Sequence, residues 1–485
     1  MRTSGEPISA GLQVARGVLF TGAAQVYRTG IGFISGMILA RLLAPADFGL
    51  VAMVGTCVAL VAPIQDLGLN QATIQRSQIS RKQLSALFWL SVGTSFFLGL
   101  GLALLGPGVA WFFGDSRLTL LTVAFAVLVA LSGVQSLPSA LMNRELRFKA
   151  LAAIDIVTAT ASACAGVAVA YRTGSYWALF VSAFVTTVVN LLGVWLLSGF
   201  RPGSPSFEGS FRDIVGFGSS ISGFNVVNYF ARNADNLLIG KFYGGEQLGY
   251  YDRAYRLLVL PLQQTTWPLG RVMVPFLSRS QADPEHYRKV YTECISSVMM
   301  AAQPAIVFAV VFSHDVIRIL FGSQWLPAAS IFQWLGLCSL HQVVTSTSGW
   351  LYLSQGRGGD YFKIGLFNAV ATVASFVIGL PWSALGVAVA YTVANYVIML
   401  PATWWNVGRH GPVKTCHLVS TAMPHFIASA LTIATMLGLR MTIGALNLGW
   451  CFALALLSYV VYGLVLLSFP TKRQLIGGKM NIAIR

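Results

Sequence analysis

Long apolar segments recur along the whole chain, and they constrain the fold more than any other feature of the sequence. Each is close to the roughly 20 residues that an α-helix needs to cross the hydrocarbon core of a bilayer. Charged residues make up 10% of the 485 residues, against about 25% in soluble domains. The sequence therefore predicts an all-α polytopic membrane protein. We expect about fourteen transmembrane helices, near residues 14–40, 48–69, 84–106, 118–139, 150–171, 176–198, 213–240, 250–277, 290–312, 328–353, 361–380, 383–407, 416–438 and 444–468.

The basic residues indicate how these helices cross the membrane. The chain carries 32 Lys and Arg against 16 Asp and Glu, which gives a net charge of +16. With an even number of spans and the N-terminus inside, most of the basic residues fall in predicted inner loops, as the positive-inside rule requires. This distribution predicts two cytoplasmic termini. It also indicates contact with anionic membrane lipids rather than with nucleic acid.

The seventh predicted helix carries a stripe of polar residues. With about 100° between neighbouring residues, Asn225, Asn228, Arg232 and Asp235 lie within an arc of about 80° on one helix face. A charge at the middle of a membrane helix costs roughly 2.5–3.5 kcal/mol on insertion scales, so it normally faces a bundle interior or a water-filled cavity. The stripe therefore predicts the wall of a polar chamber.

The first predicted helix repeats this stripe at a constant offset along the chain. The residues in the matching positions are Gln25, Arg28, Gly32 and Ser35. At the same offset Arg41 matches Lys241, and Gly49 matches Gly249. A matched stripe with a matched basic helix end predicts duplicated halves, which in transporters meet around a central site. The alternative is that two unrelated polar helices share a pattern.

Two arginines of these stripes are candidate substrate-binding residues. Arg28 and Arg232 lie near the middles of their predicted helices, and the planar fork of guanidinium donors suits phosphate and pyrophosphate. Asp235 is the candidate for cation or proton coupling, because a membrane carboxylate can titrate with conformation. The alternative is a structural ion pair between Arg232 and Asp235. Gln25, Asn225 and Asn228 would complete the polar wall.

Charged and aromatic residues nearer the helix ends have two interpretations each. Arg271 is a further candidate for substrate contact, or it extends its side chain to the lipid headgroups. Asp155 and Glu293 are expected to be solvated or ion-paired. Tyrosines 250, 251 and 255 lie among charged residues at one helix end, and we favour an interfacial aromatic belt over stacking on sugar rings.

The sequence contains no motif that indicates covalent chemistry. It lacks the G-x-x-x-x-G-K-[ST] phosphate loop and the H-E-x-x-H zinc motif, and its six histidines show no metal-ligand spacing. The predicted loops are too short for an extramembrane catalytic domain. We therefore expect that the protein has no catalytic residue, binds no metal and is not an enzyme. A purely structural scaffold is also disfavoured, because that role would not explain why Arg28, Arg232 and Asp235 lie inside predicted membrane helices.

The longest predicted loop, FRPGSPSFEGSFR at residues 200–212, is rich in Pro, Gly and Ser and is the natural linker between two halves. It predicts an N-terminal lobe of six helices at 1–200 and a cytoplasmic linker at 201–212. A C-terminal lobe of six helices follows at 213–409. Two further helices at 410–470 and a cytoplasmic tail at 471–485 complete the expected organisation.

Three segments carry a resemblance to a known family. ARLLAPADFGLVA (40–52), IQDLGLNQA (64–72) and DNLLIGKFYGGEQLGYYDRAYRLLVLPLQQ (235–264) resemble the polysaccharide transporter family, and within it the WzxC-like exporters of lipopolysaccharide and exopolysaccharide units. These belong to the multidrug/oligosaccharidyl-lipid/polysaccharide flippase superfamily. The resemblance implies a MATE/MurJ-like bundle, with two six-helix lobes facing each other in a V.

The resemblance also implies a function. Such proteins translocate undecaprenyl-pyrophosphate-linked oligosaccharide units across the bacterial inner membrane by alternating access. The implied partners are the lipid-linked oligosaccharide and membrane lipids, with the polysaccharide polymerase and the chain-length or export machinery as candidates. No cofactor is implied, and a proton or sodium gradient is the candidate driving force. A cation-coupled multidrug exporter of the same fold is the main alternative, and a membrane-embedded polysaccharide polymerase is less favoured.

Overall fold

The computed structural model describes residues 6–66, 80–204, 211–443 and 446–469. These residues form α-helices joined by short connections. In chain order the helices are α1 (Glu6–Leu42), α2 (Pro45–Asp66), α3 (Arg81–Phe113), α4 (Arg117–Arg144), α5 (Phe148–Thr173), α6 (Trp177–Ser198), α7 (Phe211–Arg279), α8 (Pro284–Val311), α9 (Ser313–Phe321), α10 (Pro327–Ser354), α11 (Gly358–Gly379), α12 (Ser383–Ala394), α13 (Leu400–Arg409), α14 (Thr415–Thr442) and α15 (Leu448–Leu467). A π-helical stretch, Asn395–Met399, joins α12 to α13.

The predicted membrane class is confirmed. Each of the predicted spans overlaps one of these helices, and α11 to α13 run nearly continuously through the last two spans before α14. Within the described residues, eight helical stretches are long and apolar enough to cross a bilayer by length and composition. The protein is a polytopic all-α membrane protein. Those eight stretches are α3, α4, α5, α6, α8, the run from α11 to α13, α14 and α15.

The seventh and eighth predicted spans are the two arms of one bent helix. The backbone of α7 leaves helical geometry at Gly244, where φ is 75° and ψ is −172°. Glycine populates positive φ without the steric penalty that a Cβ would bring, which explains why this residue can carry the bend. The first arm covers 211–243 and the second arm covers 245–279.

The chain divides into two compact units, Met1–Gly249 and Tyr250–Arg485, with the boundary inside the second arm of α7. In the first unit α1 packs against α5, α3 against α4, and α5 against α6. In the second unit α8 packs against α10, α14 and α15. The lobe boundaries expected at 200, 212, 409 and 470 stay a prediction.

Within the first unit, the start of α2 and the start of the second arm of α7 meet backbone to backbone. A Cβ on Gly49 would collide with the carbonyl group of Gly245, and a Cβ on Gly249 would collide with the carbonyl group of Pro45. These two contacts are images of each other at the offset that relates the polar stripes. Such reciprocity is what a duplicated chain with two-fold symmetry would produce.

The expected aromatic belt at the start of the second arm is wrong for two of its tyrosines. Tyr250 and Tyr251 are buried. The Tyr250 ring packs edge-on against buried Trp325, with 6.0 Å between centroids. Tyr251 stacks on Tyr255, with 6.3 Å between centroids. The rings therefore pack inside the protein, because burial against other aromatic side chains removes them from a lipid interface.

Candidate functional site

The polar stripe of α1 is accessible in the structure. Thr21, Arg28 and Gly32 are exposed, and Gln25 and Ser35 are half-buried. The exposed apolar residues Val26 and Ile34 point roughly 120° or more away from Arg28 around the helix. The helix thus presents an apolar face and, separately, an open polar face. A ligand with charged groups could reach the polar face.

Arg28 is the centre of this face, and it has two polar neighbours. Its Nη2 donates to Gln25 Oε1 at 2.7 Å, one turn earlier on the same helix. Its Nη1 lies 4.0 Å from Oδ1 of Asp155 on α5, and the two side chains are 51% and 37% exposed. The guanidinium is therefore oriented by the protein while about half of its surface stays open to a ligand.

The packing of α1 on α5 holds Arg28 beside Asp155. The Thr160 hydroxyl donates to the Ile156 carbonyl at 2.8 Å, so the Tyr27 hydroxyl, 2.8 Å away, is the donor in its bond to Thr160 Oγ1. Lys149 at the start of α5 lies over the Phe20 ring, 5.2 Å from its centroid. On α5 these contacts lie on both sides of Asp155, so they fix the register of the two helices at the ion pair.

The matching stripe on the first arm of α7 combines two different environments. Arg232 is exposed. Asp235 is only 4% exposed, and its Oδ1 accepts the backbone N–H of Asn236 at 2.8 Å. Asn225 and Asn228 lie in this helix, but their side chains are outside the described part of the structure. The roles proposed for these four residues stay predictions.

Arg271 belongs to the second unit, on the second arm of α7. Its side chain is exposed, and so are its neighbours Val272 and Phe276. An arginine among exposed apolar residues near a helix end fits extension toward lipid headgroups as well as substrate contact. Both interpretations of Arg271 therefore stay open.

Sequence reasoning did not assign Asp155 to the site. One usable signal is present in the sequence: Asp155 is a carboxylate inside an apolar segment, where an ionisable residue needs a partner. That partner could not be identified from the sequence, since 127 positions separate Arg28 from Asp155 and only the packing of α1 on α5 brings them together. The pair is the ion-paired alternative that was expected for Asp155.

The second unit contains a different polar cluster, which we call the His425 network. His425 on α14 is buried, with Nε2 2.7 Å from Ser296 Oγ and Nδ1 2.7 Å from the Tyr462 hydroxyl. That hydroxyl donates to Gln303 Oε1 at 2.9 Å, and Ser429 donates to the same oxygen at 2.9 Å. The network joins α8, α14 and α15 inside the unit.

Comparison with known proteins agrees with this architecture. WzxC of Escherichia coli K12, a lipopolysaccharide biosynthesis protein, is 26% identical over 400 residues, which cover 79% of this chain and 80% of WzxC. Agl15 of Haloferax volcanii, which is named as a glycan biosynthesis flippase, is 22% identical over 474 residues, 95% of this chain and 90% of its own. The names of both relatives refer to the biosynthesis of glycans.

The fold is shared with a solved structure. The lipid II flippase MurJ, in an inward closed conformation, superposes with a TM-score of 0.76 at 14% identity, covering 95% of this chain and 100% of its own. Residues 38–330 match the profile of the family described as polysaccharide biosynthesis protein. Since this match covers more than half of the chain, the protein belongs to the polysaccharide biosynthesis protein family, which confirms the resemblance carried by its sequence.

Proposed function

We propose that this protein is a flippase that translocates undecaprenyl-pyrophosphate-linked oligosaccharide units across the bacterial inner membrane by alternating access. The product would feed exopolysaccharide or lipopolysaccharide (O-antigen) synthesis. The observation that supports this proposal is the position of Arg28, whose half-exposed guanidinium lies on the open polar face of an otherwise apolar membrane helix. The proposal includes cytoplasmic N- and C-termini, as the distribution of basic residues suggests.

The chemistry of the site suits one part of this substrate. A pyrophosphate carries several anionic oxygens, and arginine offers paired donors that match them geometrically. Arg232, exposed on the first arm of α7, would supply a second cation. Gln25 would bind sugar or phosphate oxygens, and the polyprenyl tail would remain in the lipid. Arg271, Asn225 and Asn228 remain candidates for the same chamber, and Asp235 remains a candidate for proton or sodium coupling.

The family and the relatives support the glycan part of the proposal. The chain belongs to a polysaccharide biosynthesis family, and among its relatives Agl15 is named a flippase. Its fold is that of the lipid II flippase MurJ. A polysaccharide polymerase and chain-length or export machinery are the partners that such a flippase would supply.

The decisive experiment measures the sidedness of lipid-linked oligosaccharide in cells that lack the protein. The strain is complemented with the wild type, with Arg28→Ala plus Arg232→Ala, or with Arg117→Ala as a matched control. Arg117 is also an exposed arginine paired with an aspartate, but it lies at the start of α4, next to Asp115 in the α3–α4 turn. The expected result is accumulation on the cytoplasmic face that the wild type and the control relieve and the double variant does not.

Two other outcomes would change the assignment. Normal export without the protein would overturn the flippase proposal, and a drug-resistance assay on an overexpressing strain would then test the multidrug exporter. Full relief by the double variant would retain flipping but remove both arginines from the substrate site.

A further inference from the structure

We propose that Asp155 is the exchangeable counter-ion of the substrate site: it neutralises Arg28 when the site is empty and gives way to a phosphate group of the substrate. This inference rests on the proposed function and assigns a role to a residue outside the polar stripes. Displacement by the phosphate leaves Asp155 free to take a proton from solvent. Substrate binding and proton uptake at Asp155 would then favour each other.

The geometry of the pair allows such an exchange. At 4.0 Å the contact between Arg28 Nη1 and Asp155 Oδ1 is a loose ion pair, whereas the bond from Arg28 to Gln25 is short. Both charged side chains are more than one-third exposed, so an incoming anion can reach the guanidinium. Gln25 would keep the arginine oriented while the carboxylate is replaced.

The charges around Asp155 leave Arg28 as its partner. On α1, Tyr27 is engaged with Thr160, and on α5 itself Lys149 lies over the Phe20 ring. Helix α6, which packs along α5, contains no titratable side chain. Helix α4 carries its two titratable residues, Arg117 and Arg144, at its ends. Among the described residues of these helices, Arg28 is thus the one charged group that contacts Asp155.

Electrostatics predicts competition between the two anions. An unpaired charge in a membrane helix is costly, so an empty site gains from keeping Asp155 ionised next to Arg28. A phosphate that binds Arg28 brings negative charge close to Asp155, and a nearby like charge favours the protonated carboxyl. Two ligands that change the affinity of each other by a common factor are linked by one coupling free energy. Here the two ligands are the substrate and the proton.

Asp155 differs in its accessibility from Asp235, the residue that the sequence predicts to couple transport to a cation or a proton. Asp235 is almost fully buried and accepts a backbone N–H. Asp155 is half-buried, with 37% of its side chain exposed beside the open Arg28. A carboxylate that must meet both solvent protons and the substrate needs that access, so the structure favours Asp155 for this exchange.

The test is binding of two probes to the purified full-length protein in lipid nanodiscs. The probes are undecaprenyl pyrophosphate and uncharged undecaprenol, each measured from about pH 4, close to the ordinary pKa of an aspartate, to about pH 8. The variants are Asp155→Asn, which removes the charge at nearly constant size, and Asp155→Ser, a second neutral variant in case the first fails to fold. Asp115→Asn is the matched control, since Asp115 pairs with Arg117 outside the site.

The expected result is a pH-dependent gain of affinity. Near pH 8 the neutral variants bind undecaprenyl pyrophosphate about fivefold more tightly than the wild type, the size expected for loss of a partly exposed ion pair. Toward pH 4 the difference narrows, because protonated Asp155 resembles asparagine. Affinity for undecaprenol does not change, and Asp115→Asn behaves as the wild type.

Other results separate the failure of this inference from the failure of the proposed function. If the wild type prefers the pyrophosphate and the Asp155 variants bind it equally well or more weakly at every pH, the counter-ion role is overturned while the flippase proposal stands. If the wild type does not distinguish the two probes, the anion site itself is wrong, and both proposals lose their basis.

Discussion

The pair Arg28–Asp155 in the first unit and the His425 network in the second unit are both polar clusters within apolar membrane helices, yet they are built in opposite ways. The first consists of two opposite charges at 4.0 Å, each more than one-third exposed. The second consists of neutral groups that are buried and joined by hydrogen bonds of 2.7–2.9 Å. An open charged pair can exchange partners, whereas a closed neutral network holds helices together.

The hydrogen bonds of the His425 network run in one direction. Gln303 Nε2 donates to the Leu340 carbonyl at 3.0 Å, which fixes Oε1 as the acceptor for Tyr462. Since Tyr462 has a single proton, its oxygen must accept from His425 Nδ1. In a neutral imidazole Nε2 then accepts from Ser296. The network is satisfied with an uncharged ring, so it needs no counter-ion and supports a structural role.

The largest effect is expected from Arg28→Ala, which removes the cation of the open cluster. Loss of the charge-assisted hydrogen bonds from the guanidinium to a phosphate predicts about a hundredfold lower rate of flipping. Arg28→Lys should recover part of it, because lysine keeps the charge without the fork. The rate is measured in proteoliposomes with a fluorescent lipid-linked oligosaccharide. Arg117→Ala is the control. If Arg28→Ala flips the substrate as fast as this control, the Arg28–Asp155 pair has no role in transport, and its contrast with the His425 network has no functional meaning.

The next effect is expected on stability, from His425→Ala in the closed network. The change leaves Ser296 and Tyr462 without this partner in a buried site, which predicts a loss of about 2 kcal/mol in the free energy of unfolding. The measurement is denaturant-induced unfolding of the purified protein in detergent. His410→Ala is the control, because His410 is exposed at the end of α13. If both variants lose the same stability, the network is not what holds these helices.

A smaller effect is expected from Tyr462→Phe, which deletes one hydroxyl of the network and keeps the ring. His425 Nδ1 loses this acceptor, but Gln303 retains Ser429 as a donor, so the loss should be about 1 kcal/mol, within the range measured for hydrogen bonds between membrane helices. The same unfolding measurement applies. A loss equal to that of His425→Ala would show that the hydroxyl, rather than the ring nitrogen, is the centre of the network.

The smallest effect is expected from Tyr27→Phe beside the open cluster. The hydroxyl bonds Thr160 at an exposed position, and exposed substitutions usually change stability by no more than about 0.5 kcal/mol. Thermal unfolding in detergent provides the measurement, with Tyr171→Phe, also exposed on α5, as control. A loss as large as that of Tyr462→Phe would mean that the α1–α5 contact is as structural as the His425 network.

The sequence predicted the helices and one accessible face, and the physical reasons are clear. Apolar length identifies spans, and helical phase placed Gln25 and Arg28 on one face, where the structure joins them by a hydrogen bond. Hydropathy does not reveal which helices are neighbours. The contact of Arg28 with Asp155 and that of His425 with Ser296, 129 positions apart, therefore could not be predicted.

The tyrosines at the start of the second arm of α7 are a second case in which the sequence does not reveal the neighbours of a residue. An aromatic residue at the end of a predicted span looks alike in sequence whether it faces lipid or protein. The buried partner of Tyr250 is Trp325, which lies in a short helical turn after α9. Only tertiary packing decides between the two environments, and here it contradicts the belt.

The reciprocal contact of Gly49 with Gly245 and of Gly249 with Pro45 limits how this chain can change over evolutionary time. The start of α2 and the start of the second arm of α7 each supply the glycine for one contact and the backbone group for the other. A mutation that adds a methyl group at position 49 meets main chain, which no alternative rotamer can move aside. Relief would have to come from a backbone shift in the facing helix. Substitutions at Gly49 and Gly249 are therefore coupled to changes in the main chain of the second arm of α7 and of α2, respectively.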